Sequence, residues 1–590
     1  MSVTAPARPR SAAHRPSPPR GLIPAAPAFI WLCLFFLVPT AMVSVFSFGA
    51  SSLFGTSPVD LSNPSLDRYR EAGADTFRVA FHNTVQLSVL GTALCLLLAF
   101  PMAYLISTRL TGGWKYLAII GVVVPFWMPF LLRTYSWRIL LNDNGFLAHW
   151  LAPHGFGVLD AMAGAQLGVV YNYLPLAVLP IAVSLDRLDP ALRKAGRDLG
   201  ASPLRVFWQV TLPAARPGLI SAGILVFIPL MGDYVTPAIL GGVNVFVVGQ
   251  LISDSFLMSQ DWALGAAAAV LLIVLVAGVL LAVWLIAVGL RAVLRVIRPL
   301  DLLARLPRRC SGGRCTTRQT DPWGMMLRGY GIALLIALWA PILTIAVYSF
   351  NAGSTLTVWQ GWSARWYAAI PGNGPLTAAI GQSLWVAALS TMLAVVIGTL
   401  AGVAITRAGR PIRWSLTGLL LVVFVAPEIV TAIGLLMLYL QAGPVLADGT
   451  IRMAIAHSVP STVIVAFVVA ARLSSLDPNL LAAAADLGAA PLRVLRRIVL
   501  PVAAPAVAAA AVLASTFSLD DVVASSMVSN VGTTTLPVLI FSTLHTGLKG
   551  DAAAASTLVM VGTSLLVCLL AAMLARTGQA RTFIAGLAGG

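Results

Sequence analysis

Charge is scarce in this chain. Of 590 residues only 10% are charged and just 21 are acidic, against 58% hydrophobic. A water-soluble domain of that composition would expose far too much apolar surface, so the chain is read as an all-helical, polytopic membrane protein. Cysteine is sparse as well, and Cys33, Cys95 and Cys568 lie in apolar runs, which excludes a disulfide framework. Cys310 and Cys315 flank an arginine-rich stretch with no histidine nearby, so the usual zinc ligand set is missing and no metal site is expected. No Gly-x-x-x-x-Gly-Lys-Ser/Thr run occurs, so nothing here cradles nucleotide phosphates in the usual manner. His82, His154, His457 and His545 are scattered, and no metal cluster or nucleophile–base pair stands out to support a membrane-embedded enzyme.

What the chain does have is apolar length. Stretches able to cross a bilayer, at about 20 residues each, begin near Ile23, Ala80, Tyr116, Leu167, Gly218 and Gly265, and again near Arg328, Gly381, Leu416, Ala454, Val502 and Ala554. Six spans are thus followed by six more. The net charge of +17 sits in short arginine clusters between the spans, which is how topology is encoded and is unlike a nucleic-acid-binding face. With Arg8, Arg10, Arg15 and Arg20 assigned to the cytoplasm, the basic loops alternate with poorer ones, and both termini fall inside. Residues 1–22 read as a disordered cytoplasmic tail before an uncleaved first span. The halves cover 23–290 and 328–577. Between them 291–327, with eight arginines and the Gly312-Gly313 pair, reads as a cytoplasmic linker, and 578–590 as a cytoplasmic tail.

One segment occurs twice. Leu188-Asp-Pro-Ala-Leu-Arg-Lys-Ala-Gly-Arg-Asp-Leu-Gly200-Ala-Ser-Pro-Leu-Arg-Val206 is matched by Leu476-Asp-Pro-Asn-Leu-Leu-Ala-Ala-Ala-Ala-Asp-Leu-Gly488-Ala-Ala-Pro-Leu-Arg-Val494, and the same spacing then reaches Leu212-Pro213 and Leu500-Pro501. Both copies fall on the expected cytoplasmic side. A loop shared by two otherwise different halves suggests that both present one kind of handle to one kind of partner.

These loops resemble the cytoplasmic signature loop of ABC importer permeases, which reads Glu-Ala-Ala, three residues, Gly, nine residues, Ile, one residue, Leu-Pro. Lys194-Ala195-Gly196 and Ala482-Ala483-Ala484 stand where Glu-Ala-Ala is usual, so the glutamate is absent from both copies. The resemblance extends over nearly the whole chain. Val124-Pro-Phe-Trp-Met-Pro129, Arg133-Thr-Tyr-Ser-Trp137 and Tyr171-Asn-Tyr-Leu-Pro175 are similar to the first permease of spermidine/putrescine-type importers. Trp359-Gln-Gly-Trp362, Trp366-Tyr367, Ala426-Pro-Glu-Ile-Val430 and Phe517-Ser-Leu-Asp-Asp-Val522 are similar to the second. The resemblance implies a fusion of two six-helix halves of the type I permease fold, pseudo-two-fold related, in a prokaryotic cytoplasmic (inner) membrane. It also implies alternating access, an extracytoplasmic solute-binding protein, and two copies of a cytoplasmic ATPase that bind ATP and Mg while this chain binds no cofactor. The ATPase would grip Lys194, Ala195, Gly196, Gly200, Leu212 and Pro213 in one loop and Ala482, Ala483, Ala484, Gly488, Leu500 and Pro501 in the other.

Asp233 lies 20 residues beyond Pro213, and Asp521 lies 20 beyond Pro501, so equivalent helices carry carboxylates at equivalent depths. Intramembrane carboxylates are costly and normally face a bundle interior or aqueous cavity. Together with Glu428 and Asp520, and with Trp127, Tyr171, Tyr173 and Tyr234 offering cation–π faces, they form a candidate pathway for an organic polycation. Other readings stay open. Asp233 and Asp521 could sit hydrated near the outer helix ends or cap the turns ahead of Pro237 and Pro537, and Glu428 could satisfy backbone groups freed by Pro427. Cargo of another kind, such as an amino-acid derivative, an organophosphonate or ferric iron, fits the same mechanism. An ion-coupled secondary transporter is the rival from another class, though it gives no reason for matched cytoplasmic loops.

Overall fold

The computed structural model describes residues 22–51, 59–126, 128–142, 158–297, 322–354, 356, 358–543 and 549–576. The expected tail up to 21, the linker core 298–321 and the end from 577 lie outside the described residues.

The first half is built from α1 (Pro24–Phe46), α2 (Asp75–Thr108), α3 (Gly112–Phe126), α4 (Phe130–Leu141), α5 (Met162–Asp186), α6 (Pro190–Asp198), α7 (Leu212–Gly232), α8 (Val235–Leu240), α9 (Val248–Leu257) and α10 (Trp262–Ile297). The second repeats the series as α11 (Pro322–Tyr348), α12 (Gly374–Arg407), α13 (Arg410–Val425), α14 (Glu428–Gln441), α15 (Gly449–Ser474), α16 (Pro478–Asp486), α17 (Leu500–Asp520), α18 (Val523–Val528), α19 (Leu536–Ser542) and α20 (Gly550–Arg576). Each of these ten helices therefore has a counterpart ten places on. Among the described residues nine helices are long and apolar enough to cross a membrane, and the two bent pairs α3–α4 and α13–α14 bring the number to as many as eleven. α20, at the place of the twelfth expected span, falls outside that count.

The bent pairs depart from the straight third and ninth spans that hydropathy suggests. α3 meets α4 at 90°, and α13 meets α14 at 101°. Proline is the cause. Pro129 and Pro427 sit at the N-caps of α4 and α14 in extended conformation and have no N–H to continue the preceding helix. Each break turns a helix N-terminus into the interior.

Packing inside each half relies on small residues, because lipid supplies no hydrophobic drive between helices. At Gly402 a Cβ would come within 2.9 Å of the Ala466 carbonyl oxygen, and at Gly398 within 2.6 Å of the Val465 side chain, so α12 and α15 touch almost backbone to backbone. The segments after α8 and α18 fold back as the short helices α9 and α19. Their first N–H groups have no partner within the helix. Val248 N donates to Thr84 Oγ1 on α2 (2.9 Å), and Leu536 N donates to Ser383 Oγ on α12 (2.8 Å), the same solution in both halves.

Between halves the leading helices cross over. α1 packs on α12 and α14, while α11 packs on α2, α3 and α4. Trp31 Nε1 donates to Ser458 Oγ (3.1 Å), and Trp339 Nε1 donates to the Gly121 carbonyl (2.9 Å), fixing the exchange in both directions.

Candidate functional site

The repeated loops form matched surface structures. Asp189 Oδ1 accepts from Ala191 N (2.8 Å) at the start of α6, as Asp477 Oδ1 accepts from Asn479 N (2.9 Å) at the start of α16. Gly200 (φ +81°) and Gly488 (φ +72°) then reverse the chain in the left-handed region that glycine enters without a Cβ penalty. The preceding leucines, Leu199 and Leu487, are each 88% exposed. The two copies thus present equivalent apolar side chains in the same way. Lys194, Ala195, Ala482 and Ala483 are exposed. Gly196 rests near Val206, its Cβ position 3.3 Å from that side chain, and Ala484 is buried. Leu212-Pro213 and Leu500-Pro501 begin the long helices α7 and α17 behind a π-helical turn in each copy.

α7 carries its far end roughly 30 Å from that turn, at about 1.5 Å per residue. There, between the halves, lies a cavity of about 330 Å³ lined by Asp233, Glu428, Asp520 and Asp521 together with Arg133, Tyr173, His457, Phe126, Phe130 and Phe517. Asp233 ends α7 and opens α8: its Oδ1 accepts from Thr236 N (3.0 Å), its Oδ2 from Thr236 Oγ1 (2.7 Å), and Tyr173 OH donates to Oδ2 at 3.4 Å. Asp521 does the same between α17 and α18, its Oδ1 accepting from Ala524 N (2.9 Å) and Ser525 N (3.1 Å). Both carboxylates therefore cap a short helix and also line the cavity. Neither is at a hydrated helix end, since Asp233 is only 8% exposed and the Asp521 side chain 7%. Glu428, the first residue of α14, lines the cavity as its most accessible acid. An acid at a helix N-terminus is favoured by the helix dipole. Asp520 reaches across to the other half, where it accepts a hydrogen bond from the Phe130 backbone N–H at the start of α4.

The four acids expected from the sequence come together. Tyr173 joins them. Tyr171, on the opposite side of α5, instead donates to the Leu338 carbonyl (2.8 Å) and lies edge-on to Trp137, away from the cavity. Tyr234 is buried behind it, with its hydroxyl 3.3 Å from Ser526 Oγ. Trp127 lies outside the described residues. Two further residues escaped sequence reasoning. His457 is held by Ser518 Oγ (2.7 Å at Nδ1) and Ser525 Oγ (2.9 Å at Nε2), with Asp521 Oδ2 at 3.5 Å. Arg133, on α4, is 4% exposed, and its guanidinium stacks near Phe126 (5.4 Å) and Phe130 (5.9 Å). An arginine inside a predicted span was the available signal. No group of three or more potential metal ligands occurs among the described residues.

A carboxylate-rich, aromatic-walled chamber joined by long helices to paired surface knobs is the construction of a transport permease. The chain belongs to the family of binding-protein-dependent transport system inner membrane components, which matches residues 25–293 and 394–582. Residues 25–293 and 394–582 fall one in each half, so the fold is a permease unit present twice in one polypeptide of the inner membrane, and it is not an enzyme. The spermidine/putrescine transport system permease protein PotB of Haemophilus influenzae is 32% identical over 42% of this chain and 87% of its own length. The putrescine transport system permease protein PotI of Escherichia coli K12 is 37% identical over 41% of this chain and 86% of its own. Among solved structures, a chain of a bacterial ABC transporter involved in the import of the acidic polysaccharide alginate is 18% identical. It covers 44% of this chain and 92% of its own at a TM-score of 0.36, an overlap too loose to bear on cargo or mechanism.

Proposed function

We propose that this chain is the complete membrane conduit of an ATP-driven importer for polyamines of the spermidine/putrescine class, with units 23–290 and 328–577 doing the work of two separate permeases. The carrying observation is the convergence of Asp233, Glu428, Asp520 and Asp521, two from capping turns at equivalent positions, on one aromatic-lined cavity. Separated ammonium groups that shed water need several carboxylates to replace it, and aromatic faces add cation–π attraction. The names of the relatives support the same cargo.

The repeated loops lie on the cytoplasmic side, where two copies of an ATPase, carrying ATP and Mg, cover Leu199 and Leu487. A solute-binding protein delivers cargo on the opposite face, and both termini are cytoplasmic. Nucleotide-driven closure biases two conformations through differential contact at the two loops. The test is uptake of labelled putrescine and spermidine in cells that have no other polyamine importer. Uptake that needs ATP and is lost with Leu199→Asp plus Leu487→Asp supports the reading. Uptake driven by an ion gradient alone, or labelling of Ser202 and Ala490 cysteine variants from outside the cell, overturns it.

A further inference from the structure

The cavity holds a cation of its own. Arg133 lines it beside the four acids, yet among the described residues no carboxylate lies within ion-pair distance of the guanidinium, and its Nε is buried with no hydrogen-bond partner. Its polar contact is a 3.4 Å bond to the Asn172 carbonyl. The rings of Phe126 and Phe130 stand where aromatic walls would receive an organic ammonium group. A buried guanidinium so poorly paired is expensive to keep. The equivalent position on α14, third after the first helical residue, is the neutral Thr431, which also lines the cavity.

We propose that Arg133 is a tethered counter-charge that sets how many positive charges the cargo carries through this cavity, so that it determines specificity between amines of different valence. This rests on the polyamine reading above. Four carboxylates offset by one fixed guanidinium ask for less cationic charge from the cargo than the carboxylates alone. A unit charge a few ångströms away acts more on a trication than on a dication, since the interaction scales with the product of charges. Removing Arg133 therefore favours the trication, and adding a second fixed cation favours the dication. A residue needed only for packing changes uptake of both amines together and leaves their ratio alone.

The experiment is competitive uptake of spermidine and putrescine, at equal concentrations, by the complete transporter built on this chain with the same binding protein throughout. Arg133→Gln is expected to raise the spermidine-to-putrescine ratio at least about fivefold. Arg133→Lys, which keeps the charge, leaves the ratio near wild type. Thr431→Lys lowers it, and that variant carries the test if Arg133→Gln does not reach the membrane. A ratio unmoved by Arg133→Gln, or unmoved or raised by Thr431→Lys, overturns this inference while wild-type uptake leaves the functional reading standing. A wild type that carries neither amine overturns both.

Discussion

Asp520, at the end of α17, accepts a hydrogen bond from the backbone N–H of Phe130, the first residue of α4 in the other half. The equivalent of Asp520 in the first half is Gly232, and a Cβ there would lie 3.7 Å from the backbone nitrogen of Glu428, the first residue of α14. Each inward helix start is thus served by one acid. At α4 the acid comes from the opposing half, and at α14 it is the helix's own first residue, so the two-fold relation is kept in function and broken in sequence.

Replacing Asp520 with alanine strands the Phe130 N–H against the cavity wall, where an unsatisfied buried donor costs about 1–3 kcal/mol. Asp520→Asn keeps an acceptor. Thermal unfolding of the purified protein in detergent should therefore place the alanine variant clearly below wild type and the asparagine variant between them.

The two loops differ in chemistry although their shapes match. Arg193, Lys194 and Arg197 on α6 are replaced by Leu481, Ala482 and Ala485 on α16. Charge-based contacts at α6 are screened as the Debye length falls from about 8 Å at physiological salt to about 3 Å at 1 M. Co-purification of the ATPase with Leu487→Asp, which depends on the first loop, should weaken as salt rises. With Leu199→Asp it should weaken less, since the second loop keeps Arg493, Arg496 and Arg497 but has none of the basic α6 charges.

Gly200 and Gly488 have nothing within 4 Å of a built Cβ, so any effect of substitution comes from backbone conformation alone. A β-branched residue in the left-handed region costs roughly 1–2 kcal/mol. Gly200→Val and Gly488→Val should each impair ATP-dependent uptake while leaving detergent extraction and span integrity normal. Asn, which tolerates that region better, should restore much of the activity.

Gly402→Leu forces a side chain into the Ala466 carbonyl and Val469 on α15, both 2.9 Å from the Cβ position. Overpacking of that kind costs about 1–3 kcal/mol. Thermal unfolding should fall accordingly, while Gly418→Leu, at a position with open space, should leave it unchanged.

Much of this was legible in the sequence for a physical reason. Asp233 and Asp521 were found because a repeat fixes distance along a helix, and α7 and α17 run unbroken from the loops to the cavity. The breaks before α4 and α14 were hidden because hydropathy averages across them. Tyr171 and Tyr173 could not be told apart, since two residues along a helix point to nearly opposite sides and only the neighbouring α11 decides which one faces inward. Arg133 is not marked by the repeat, since its counterpart is the neutral Thr431, and His457 is not marked because its partners Ser518 and Ser525 are remote in sequence and carry no charge.

The crossing of α1 and α11 has a consequence for how the two halves came to share a chain. Each unit is clasped by the other's leading helix, so contacts between the halves are made on both sides independently of the chain that joins them. Two polypeptides expressed separately, one ending at 297 and one starting at 322, should therefore still bind each other.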